Sequence, residues 1–404
     1  MASMPELLYI SYNGIDEPLV ESQVLNYLRG LVPLGFRFTL LTFERHSPEP
    51  AETARIRARL AADGIDWQWL IASRGLGPAS TALDILRGSK VARRLAQSRR
   101  FGLTHARSFI PALIAYRLKR QRGLPFINDL RGFWVDEKVY RRRMRGNGWL
   151  YQIGKWLEAR VLRGSDFIVS LTDRGQHALR AFPIWKGYCI PPMTTIPTCV
   201  DLHRFDASPR PQKTFFVFGY VGSLSAEYLP DQIMAYFAAA LARFPGSRLH
   251  LITRSNAERL RALAREHALP EDSLQIVAVA PDRVAEAIAQ FDVGLSFIRP
   301  HFSKIASCPT KIGEYLAAGI PVVSNAGIGD LDALLQDSTI GYVLRTFDAD
   351  SFDASFRHLQ TITATTDLSA QCRHVASQQF SLALGIQRYA EVYRSVLKDQ
   401  RTHV

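Results

Sequence analysis

A segment in the C-terminal half of the chain combines cations, hydroxyl groups and a carboxylate around one predicted helix start. It covers residues 303–323 and reads SKIASCPTKIGEYLAAGIPVV. Pro309 is favoured at the first position of a helix, and Gly319 is favoured just after its end. Ser307 or Cys308 is placed to cap the helix start. The spacing therefore predicts a short helix that begins at Pro309.

The start of this predicted helix suits an anion such as a diphosphate. Free backbone N–H groups and the positive end of the helix dipole lie there. Lys304, Thr310 and Lys311 add positive charge and hydrogen-bond donors, and Ser307 lies in the same segment. Glu314, one turn further on, is placed to accept hydrogen bonds from ribose hydroxyls. An ordinary capped helix with solvated lysines is the alternative for a pattern of this kind.

A second polar segment, residues 126–138, ends a predicted strand with acids and an arginine. In open α/β sheets, ligands bind at the carboxyl ends of the strands. Asp129 and Arg131 are therefore the first candidates for proton transfer or acceptor binding. Asp136 and Glu137 are the next candidates for binding an acceptor. A loop held by salt bridges is the alternative.

Basic and aromatic residues are mixed in the segment that follows. They are Tyr140, Arg141, Arg142, Arg143, Arg145, Trp149 and Trp156. On a helical surface such a mixture suits an anionic bilayer interface, where about 1 kcal/mol is available per basic residue. Solvated arginines that cover an ordinary helix are the alternative.

Strand-like and helix-like segments alternate along the chain and must position these side chains. The predicted strands of the first half are residues 7–10, 36–43, 67–71, 103–106, 126–129 and 167–171, with helices at 19–34, 51–62, 81–98, 111–121 and 149–162. A Pro-rich stretch over residues 188–212 is the best linker candidate. The second half predicts strands at 215–221, 248–253, 275–280, 293–297 and 321–324, helices at 231–244, 256–267, 282–290 and after Pro309, and helical segments to the end. This alternation predicts an α/β fold of two doubly wound domains facing a cleft.

Composition restricts the class of protein. With 404 residues, 47% of them apolar and 22% charged, the chain is typical of a globular protein with two or more domains. Apolar runs are far shorter than the roughly 20 residues that cross a bilayer, and residues 1–6 lack the basic start of a signal peptide, so we expect a cytoplasmic protein. The four cysteines have no metal-binding or redox spacing. The net charge of +13 predicts an anionic partner, which phosphorylated small molecules, nucleic acid and anionic lipid would all satisfy.

Several of these segments together resemble the GT-B glycosyltransferases, and within them the large retaining family 4. In that family the second glutamate of a Glu-x7-Glu motif precedes a Gly-x-Pro-Val-Val run, and Glu314 with residues 318–323 matches this. Residues 198–205, TCVDLHRF, are similar to the family's linker pattern Asn-Gly-Val-Asp-x-x-x-Phe. Residues 220–224 are similar to the opening loop of its second domain, and residues 382–397 to its closing helix.

The resemblance implies a domain division and the roles of further residues. It implies an N-terminal Rossmann-like acceptor domain over residues 1–200, a donor domain over 201–380, and a closing helix over 381–404 that returns to the first domain. The residues it places near the donor are Gly14, Gly222 and Ser223. It also places His105 and Arg107 in a loop beside the reacting sugar.

The chain departs from the family at two donor contacts. Ala306 stands where the first glutamate of the pair is expected, and Ser223 with nearby uncharged residues replaces the usual Arg and Lys. Lys304, Lys311 and Arg254 are the substitute cations. The donor therefore stays open between a UDP- or GDP-sugar and a CMP-activated acidic sugar, which carries one phosphate.

We therefore expect a glycosyltransferase, retaining if the resemblance holds, that acts on a nucleotide sugar and a glycan or lipid-linked acceptor in bacterial surface polysaccharide or glycoconjugate synthesis. The residues expected to be catalytic are His105, Arg107, Asp129 and Arg131. No cofactor and no essential metal are expected, on the interpretation that the sequence has neither an Asp-x-Asp triplet nor clustered His and Cys ligands. Peripheral contact with the anionic inner face of a membrane is expected. A GT-B-like sugar-nucleotide epimerase and a basic nucleic-acid-binding protein are the alternatives, although the basic residues follow no recognised nucleic-acid motif.

Overall fold

The computed structural model describes residues 4–75, 77–141, 144–146, 148–206, 213–224, 227–336 and 338–402. The chain forms two compact units. Unit 1 consists of Met1–Pro197 and Leu382–Val404, and unit 2 consists of Thr198–Ser381. Each unit is built around one parallel sheet.

A seven-stranded sheet forms the centre of unit 1, in the order β3-β2-β1-β4-β5-β6-β7. The strands are β1 (Glu6–Ser11), β2 (Arg37–Glu44), β3 (Ile65–Ile71), β4 (Phe101–Arg107), β5 (Phe126–Asp129), β6 (Phe167–Ser170) and β7 (Met193–Thr195). β1 and β2 are buried over almost their whole length, which is usual where helices cover both faces of a parallel sheet. The strand order reverses between β1 and β4, so the carboxyl ends of these two strands mark the expected ligand position.

Helices connect the strands of unit 1. They are α1 (Pro18–Val20), α2 (Asn26–Leu31), α3 (Pro50–Ala62), α4 (Pro78–Ser98), α5 (Phe109–Arg122), α6 (Trp134–Tyr140), α7 (Trp149–Gly164) and α8 (Asp173–Arg180). A π-helical turn, Glu21–Leu25, joins α1 to α2, and short 3-10 turns lie at Val32–Leu34 and Pro183–Trp185. Proline stands in the first turn of α1, α3 and α4, where its missing N–H costs no hydrogen bond.

Unit 2 repeats the design with a six-stranded sheet in the order β10-β9-β8-β11-β12-β13. The strands are β8 (Val217–Val221), β9 (Arg248–Ile252), β10 (Leu274–Val277), β11 (Val293–Ser296), β12 (Val322–Asn325) and β13 (Gly341–Leu344). The helices are α9 (His203–Asp206), α10 (Pro230–Ala240), α11 (Ala257–Glu266), α12 (Val284–Ile288), α13 (Thr310–Ala317), α14 (Leu331–Leu335), α15 (Ala349–Thr363) and α16 (Leu368–Gln379). The 3-10 turns are Glu271–Ser273, Pro281–Arg283 and Phe302–Ala306.

The last helix, α17 (Leu382–Thr402), belongs to unit 1 and packs on α2. A side chain at Gly30 of α2 would lie 2.1 Å from the tip of Ile386, so glycine permits this close packing. The ring of Tyr389 meets Tyr27 edge-on, with 5.3 Å between centroids. The ring of Tyr393 meets Phe36 in the same way.

The predicted architecture of two doubly wound parallel α/β units is confirmed. Several elements were not predicted. Residues 193–195, inside the stretch 188–212 expected to be a linker, form the edge strand β7. The boundary between the two units, after Pro197, lies in the same stretch. Residues 341–344 form β13 where only helices were expected, and the helices α6 and α8 were not predicted. None of the described helices combines the length and apolar character needed to cross a bilayer.

Candidate active site

The predicted anion-binding helix is α13. It begins at Thr310, so the prediction that Pro309 takes the first helical position is one residue early. Pro309 has extended backbone and no side chain caps the helix, which corrects the expectation that Ser307 or Cys308 does so. Thr198 fixes the preceding turn instead, because its hydroxyl donates to the carbonyl oxygen of Cys308 over 2.8 Å. Gly319 follows the helix with φ of +73°, as predicted for a helix-ending glycine.

Lys311, the second residue of α13, is the principal cation at this helix start. The side chain is buried, with 6% of the residue exposed. Its Nζ lies 3.7 Å from the ring centroid of Tyr220 and 4.3 Å from that of Tyr228. Among the described residues no hydrogen-bond acceptor reaches this nitrogen. Burial lowers the pKa of Lys311 well below its usual value, and the charge of Glu314 opposes that shift only in part.

The loop after β8 comes close to Lys311 because it contains glycine. Gly222 has φ of +118°, and a side chain there would begin 3.4 Å from the Nζ of Lys311. Positive φ and close approach both favour glycine at this position. Tyr220 donates a hydrogen bond from its hydroxyl to the carbonyl oxygen of Ser223 over 2.8 Å, which fixes the loop.

Glu314 lies one turn after Lys311 on α13 and is half-buried. Burial raises the pKa of Glu314, and the positive charges of Lys311 and Arg204 act in the opposite direction. The neighbouring Tyr315 holds the helix to the sheet, because its hydroxyl accepts from the N–H of Val221 over 2.9 Å. Helix α13 is thus fixed to the carboxyl end of β8, with an ammonium and a carboxylate one turn apart.

The other predicted cations of unit 2 have different surroundings. The Nζ of Lys304 donates to the carboxylate of Glu227 over 2.9 Å, and both side chains are largely buried. Arg254 follows β9 and is exposed. Ser307 is half-buried in the segment before α13. Lys311, unlike Lys304, therefore has no hydrogen-bond or ion-pair partner for its Nζ among the described residues.

In unit 1 the structure brings together three of the four residues expected to be catalytic, in a buried network. His105 lies within β4, which corrects the expectation that it belongs to a loop after the strand. Its Nδ1 is 2.7 Å from the hydroxyl of Tyr393, and its Nε2 is 3.4 Å from a carboxylate oxygen of Asp129. The guanidinium of Arg131 lies 3.6 Å from the other oxygen of Asp129. The ring of Tyr9 stacks on the imidazole, with 4.2 Å between centroids.

The charges of this network follow from burial and from Arg131. Burial lowers the pKa of His105, which keeps the imidazole neutral at physiological pH. Burial acts to raise the pKa of Asp129, but the arginines and His105 outweigh it and the net shift is downward. Arg107, the fourth candidate, ends β4 and lies opposite Asp129 in the strand pairing.

Gly14 lies in the loop after β1, where Glu44 leaves no room for a side chain. A Cβ at Gly14 would lie 2.7 Å from a carboxylate oxygen of Glu44. The two oxygens of Glu44 accept from the N–H of Ile15 over 3.1 and 3.0 Å, which ties the loop to the end of β2. Burial raises the pKa of Glu44.

The two acids predicted to bind an acceptor lie on α6 and have protein partners. Asp136 accepts from the hydroxyl of Tyr151 over 2.9 Å and from the ammonium of Lys155 over 3.1 Å. Glu137 accepts from Arg141, one helical turn away, over 2.8 Å. Their role toward an acceptor stays a prediction.

Helix α7 carries part of the predicted membrane-facing cluster. Trp149, Ile153 and Trp156 recur at helical spacing and are 71%, 47% and 53% exposed. The guanidinium of Arg160 lies 4.0 Å from the ring centroid of Trp156. Arg142 and Arg143 lie outside the described residues.

Among the described residues, no group of three or more His, Cys, Asp or Glu side chains is placed to hold a metal ion. The expectation that the sequence has no Asp-x-Asp triplet is wrong, because residues 330–332 and 348–350 are two such triplets. Asp332 accepts from the backbone of Gly327, and Asp348 caps α15 by accepting from Ser351 over 2.8 Å.

Several residues of these sites were not predicted as such. Tyr220 and Tyr228 flank Lys311, and Glu227 pairs with Lys304. The Tyr389 and Tyr393 rings of α17 contact His105. Tyr389 and Tyr393 are four residues apart, a spacing that places both rings on one face of the closing helix. This spacing was the one feature of the sequence that could have pointed to them.

Comparisons with known proteins support the fold of this chain. Residues 20–189 match the family described as glycosyl transferase 4-like domain. The structure is similar to sucrose-phosphate synthase from Thermosynechococcus elongatus, with 14% identity, a TM-score of 0.74, and coverage of 98% of this chain and 100% of that one. It is also similar to HepE of Anabaena in complex with UDP-glucose (14%, TM-score 0.67, coverage 96% and 99%). WaaG, a glycosyltransferase involved in lipopolysaccharide biosynthesis, gives the same identity, TM-score and coverage. None of the curated proteins matches the sequence.

Proposed function

We propose that this chain, a GT-B glycosyltransferase with a glycosyl transferase 4-like domain at residues 20–189, transfers a sugar from a UDP-sugar to a glycan or lipid-linked acceptor. Unit 2 binds the nucleotide sugar and unit 1 binds the acceptor. The transfer retains the anomeric configuration, which rests on the resemblance of Glu314 and residues 318–323 to the retaining family. The product belongs to a bacterial surface polysaccharide or glycoconjugate.

The observation that supports this proposal best is Lys311 at the start of α13. A buried ammonium without an acceptor is costly unless a ligand supplies the negative charge. A diphosphate does so, and the backbone N–H groups of the helix start add donors to the same anion. Negative charge grows on the diphosphate as the bond to the sugar breaks, so this cation and these donors stabilise the transition state.

We propose that the carboxylate of Glu314 binds the hydroxyls of the ribose. Its carboxylate lies one helical turn after Lys311 on α13, so the two side chains are placed to contact neighbouring parts of one nucleotide. Burial raises the pKa of Glu314, and the charges of Lys311 and Arg204 oppose that shift in part and favour the ionised form, which accepts hydrogen bonds from ribose hydroxyls.

The choice of UDP is drawn from similar structures. HepE was determined with UDP-glucose and the trehalose-6-phosphate protein of Escherichia coli with UDP-2-fluoro glucose. Both share the fold with this chain at TM-scores of 0.67 and 0.70. Two phosphates also fit the combination of Lys311 and a helix start better than one.

Unit 1 supplies the acceptor side. Asp129 and Arg131 lie at the carboxyl end of β5, beside β4, where an open parallel sheet binds its ligands. A lipid-linked acceptor would be met at the membrane surface by the exposed tryptophans of α7, whose rings suit the interface. The protein is then peripheral to the inner face of the membrane.

Thermal unfolding against a panel of UDP, GDP, CMP and their sugars tests the donor. A ligand at 100 times its Kd stabilises the folded state by about 2.7 kcal/mol. UDP and UDP-sugars should raise the melting temperature of the wild type. They should raise that of Lys311→Met much less. If only CMP-sugars raise the melting temperature, the donor is a CMP-sugar and not a UDP-sugar. If no nucleotide raises it, the proposal is contradicted. Conversion of a UDP-sugar into its epimer without an acceptor would identify an epimerase.

A further inference from the structure

Arg107 is a buried cation that has no hydrogen-bond or ion-pair partner among the described residues. It is the last residue of β4 and is 4% exposed. Its Nε is buried and lacks a hydrogen-bond partner, and its side chain forms no hydrogen bond or ion pair with any residue that the structure describes. Burying a charge in this way is strongly unfavourable. A residue kept at such a position is expected to meet a ligand of opposite charge.

The neighbours of Arg107 include a second guanidinium, that of Arg131. Strand pairing places it beside Ser11 of β1 and Asp129 of β5. The carboxylate of Asp129 favours the charged form of Arg107, and the guanidinium of Arg131 disfavours it. The imidazole of His105, which shares this face of β4, is neutral because burial lowers its pKa. The guanidinium groups of Arg107 and Arg131 thus both act on the carboxylate of Asp129.

The backbone at this point is also unusual. Ser108, directly after Arg107, has φ of +78°, a conformation that non-glycine residues rarely adopt. Its N–H donates to the carbonyl oxygen of Asp129 over 2.8 Å, which holds the conformation in place. The helix α5 begins at the next residue, and the side chain of Ser108 does not cap it. Strained backbone of this kind concentrates at ligand sites.

We infer that unit 1 binds an oxyanion, the carboxylate or phosphate of a sugar substrate, through the guanidinium of Arg107. A guanidinium matches both groups with two parallel hydrogen bonds. The site lies at the carboxyl ends of β4 and β5, where ligands of doubly wound sheets bind. The identity of the ligand as a sugar substrate rests on the proposed function, but the anion site does not.

The oxyanion has two sources in a glycosyl transfer. It is either the carboxylate of a hexuronic acid that the donor carries, or an acidic or phosphate group of the acceptor. Both present the same chemistry to Arg107. They differ in whether the anion arrives together with UDP, and that difference separates them by experiment.

Inorganic phosphate is the probe, titrated calorimetrically at constant ionic strength with UDP already saturating. UDP occupies the phosphate site of unit 2, so the titration reports a second anion site. We expect Arg107→Met to weaken phosphate binding at least tenfold. Arg117→Met, which removes an exposed arginine from α5 of the same unit, should leave it unchanged. Equal phosphate binding by wild type and Arg107→Met, or none by the wild type, would overturn the inference.

The stability of the variants separates binding from a structural role. Arg107→Met removes a buried charge without a partner, so without phosphate it should melt at or above the wild-type temperature. Phosphate should raise the melting temperature of the wild type and of Arg117→Met but not that of Arg107→Met. A variant that fails to fold, or melts lower, would assign Arg107 to the fold and contradict the inference.

UDP-glucuronic acid and UDP-glucose, which differ in the carboxylate, identify the source of the anion. If the donor carries it, the wild type should bind UDP-glucuronic acid at least tenfold tighter, and Arg107→Met should lose that preference. Equal affinities, with phosphate still bound beside UDP, assign the anion to the acceptor. Failure to bind UDP would instead contradict the proposed function, and phosphate binding to Arg107 would then be measured alone.

Discussion

Replacement of Lys311 by methionine tests the donor site most specifically. Methionine keeps an unbranched side chain of similar length between Tyr220 and Tyr228 but removes the ammonium. A hydrogen bond to a charged group contributes about 1.5–3 kcal/mol. At about 1.4 kcal/mol per factor of ten, the affinity for UDP should fall by roughly one to two orders of magnitude. Isothermal titration calorimetry measures this directly.

The same substitution should not weaken the folded protein. The pKa of Lys311 is lower in the folded state than in the unfolded chain, because burial disfavours the ammonium. Between these two pKa values the unfolded chain binds more protons, so the wild type loses stability as the pH falls through that window. Lys311→Met has no ammonium group at this position and so lacks this pH-dependent loss of stability. Its melting temperature relative to the wild type should therefore rise as the pH is lowered from 10 toward neutrality.

Proton uptake provides a further readout. The negative charge of UDP raises the pKa of Lys311, so binding at a pH above the lowered pKa of the free protein should take up a proton. The measured binding enthalpy should then depend on the ionisation enthalpy of the buffer for the wild type but much less for Lys311→Met.

Lys213→Met is the matched control. Lys213 also belongs to unit 2, and its ammonium lies 2.6 Å from a carboxylate oxygen of Asp292. Its replacement should lower the melting temperature and leave the affinity for UDP unchanged. The reasoning would be refuted if Lys311→Met bound UDP as tightly as the wild type, or if both variants lost affinity equally.

Three other substitutions have distinct expected results. Glu314→Ala should weaken UDP binding by about 1.5–3 kcal/mol and spare binding of inorganic diphosphate, since only the ribose contact is lost; equal losses for both ligands in calorimetry would contradict the assignment. Lys304→Ala removes the ammonium that pairs with the buried Glu227, so it should destabilise the fold by about 3–5 kcal/mol in denaturant unfolding, and Glu227→Ala in the same chain should recover part of this. Replacement of Trp149 and Trp156 by serine should reduce sedimentation with anionic vesicles while activity on a soluble acceptor persists; unchanged sedimentation would remove the tryptophans of α7 from the membrane contact.

The alternation of apolar strands with amphipathic helices was sufficient to predict the fold. Both sheets follow from it because parallel strands buried on two faces read as continuous apolar runs, as in β1 and β2. A short edge strand has too few residues to show such an apolar run. β7 has three residues and follows two prolines, and β13 has four residues, so neither was found.

The candidate sites were predictable where a sequence motif, a strand end or the family resemblance points to their residues. Lys311 and Glu314 belong to one motif and were found in it. Glu227 was not, because it meets Lys304 across 77 residues of chain and only the folded sheet brings them together. The same applies to Tyr393, which reaches His105 from the closing helix.

A crystal structure of the complex with UDP is the measurement that tests the central claim most directly. The account predicts the diphosphate at the start of α13, within about 3 Å of the Nζ of Lys311, since a charge-assisted hydrogen bond has this length. It also predicts a ribose hydroxyl at hydrogen-bond distance from the carboxylate of Glu314. UDP bound elsewhere in unit 2, or at this helix without contact to Lys311, would contradict the account.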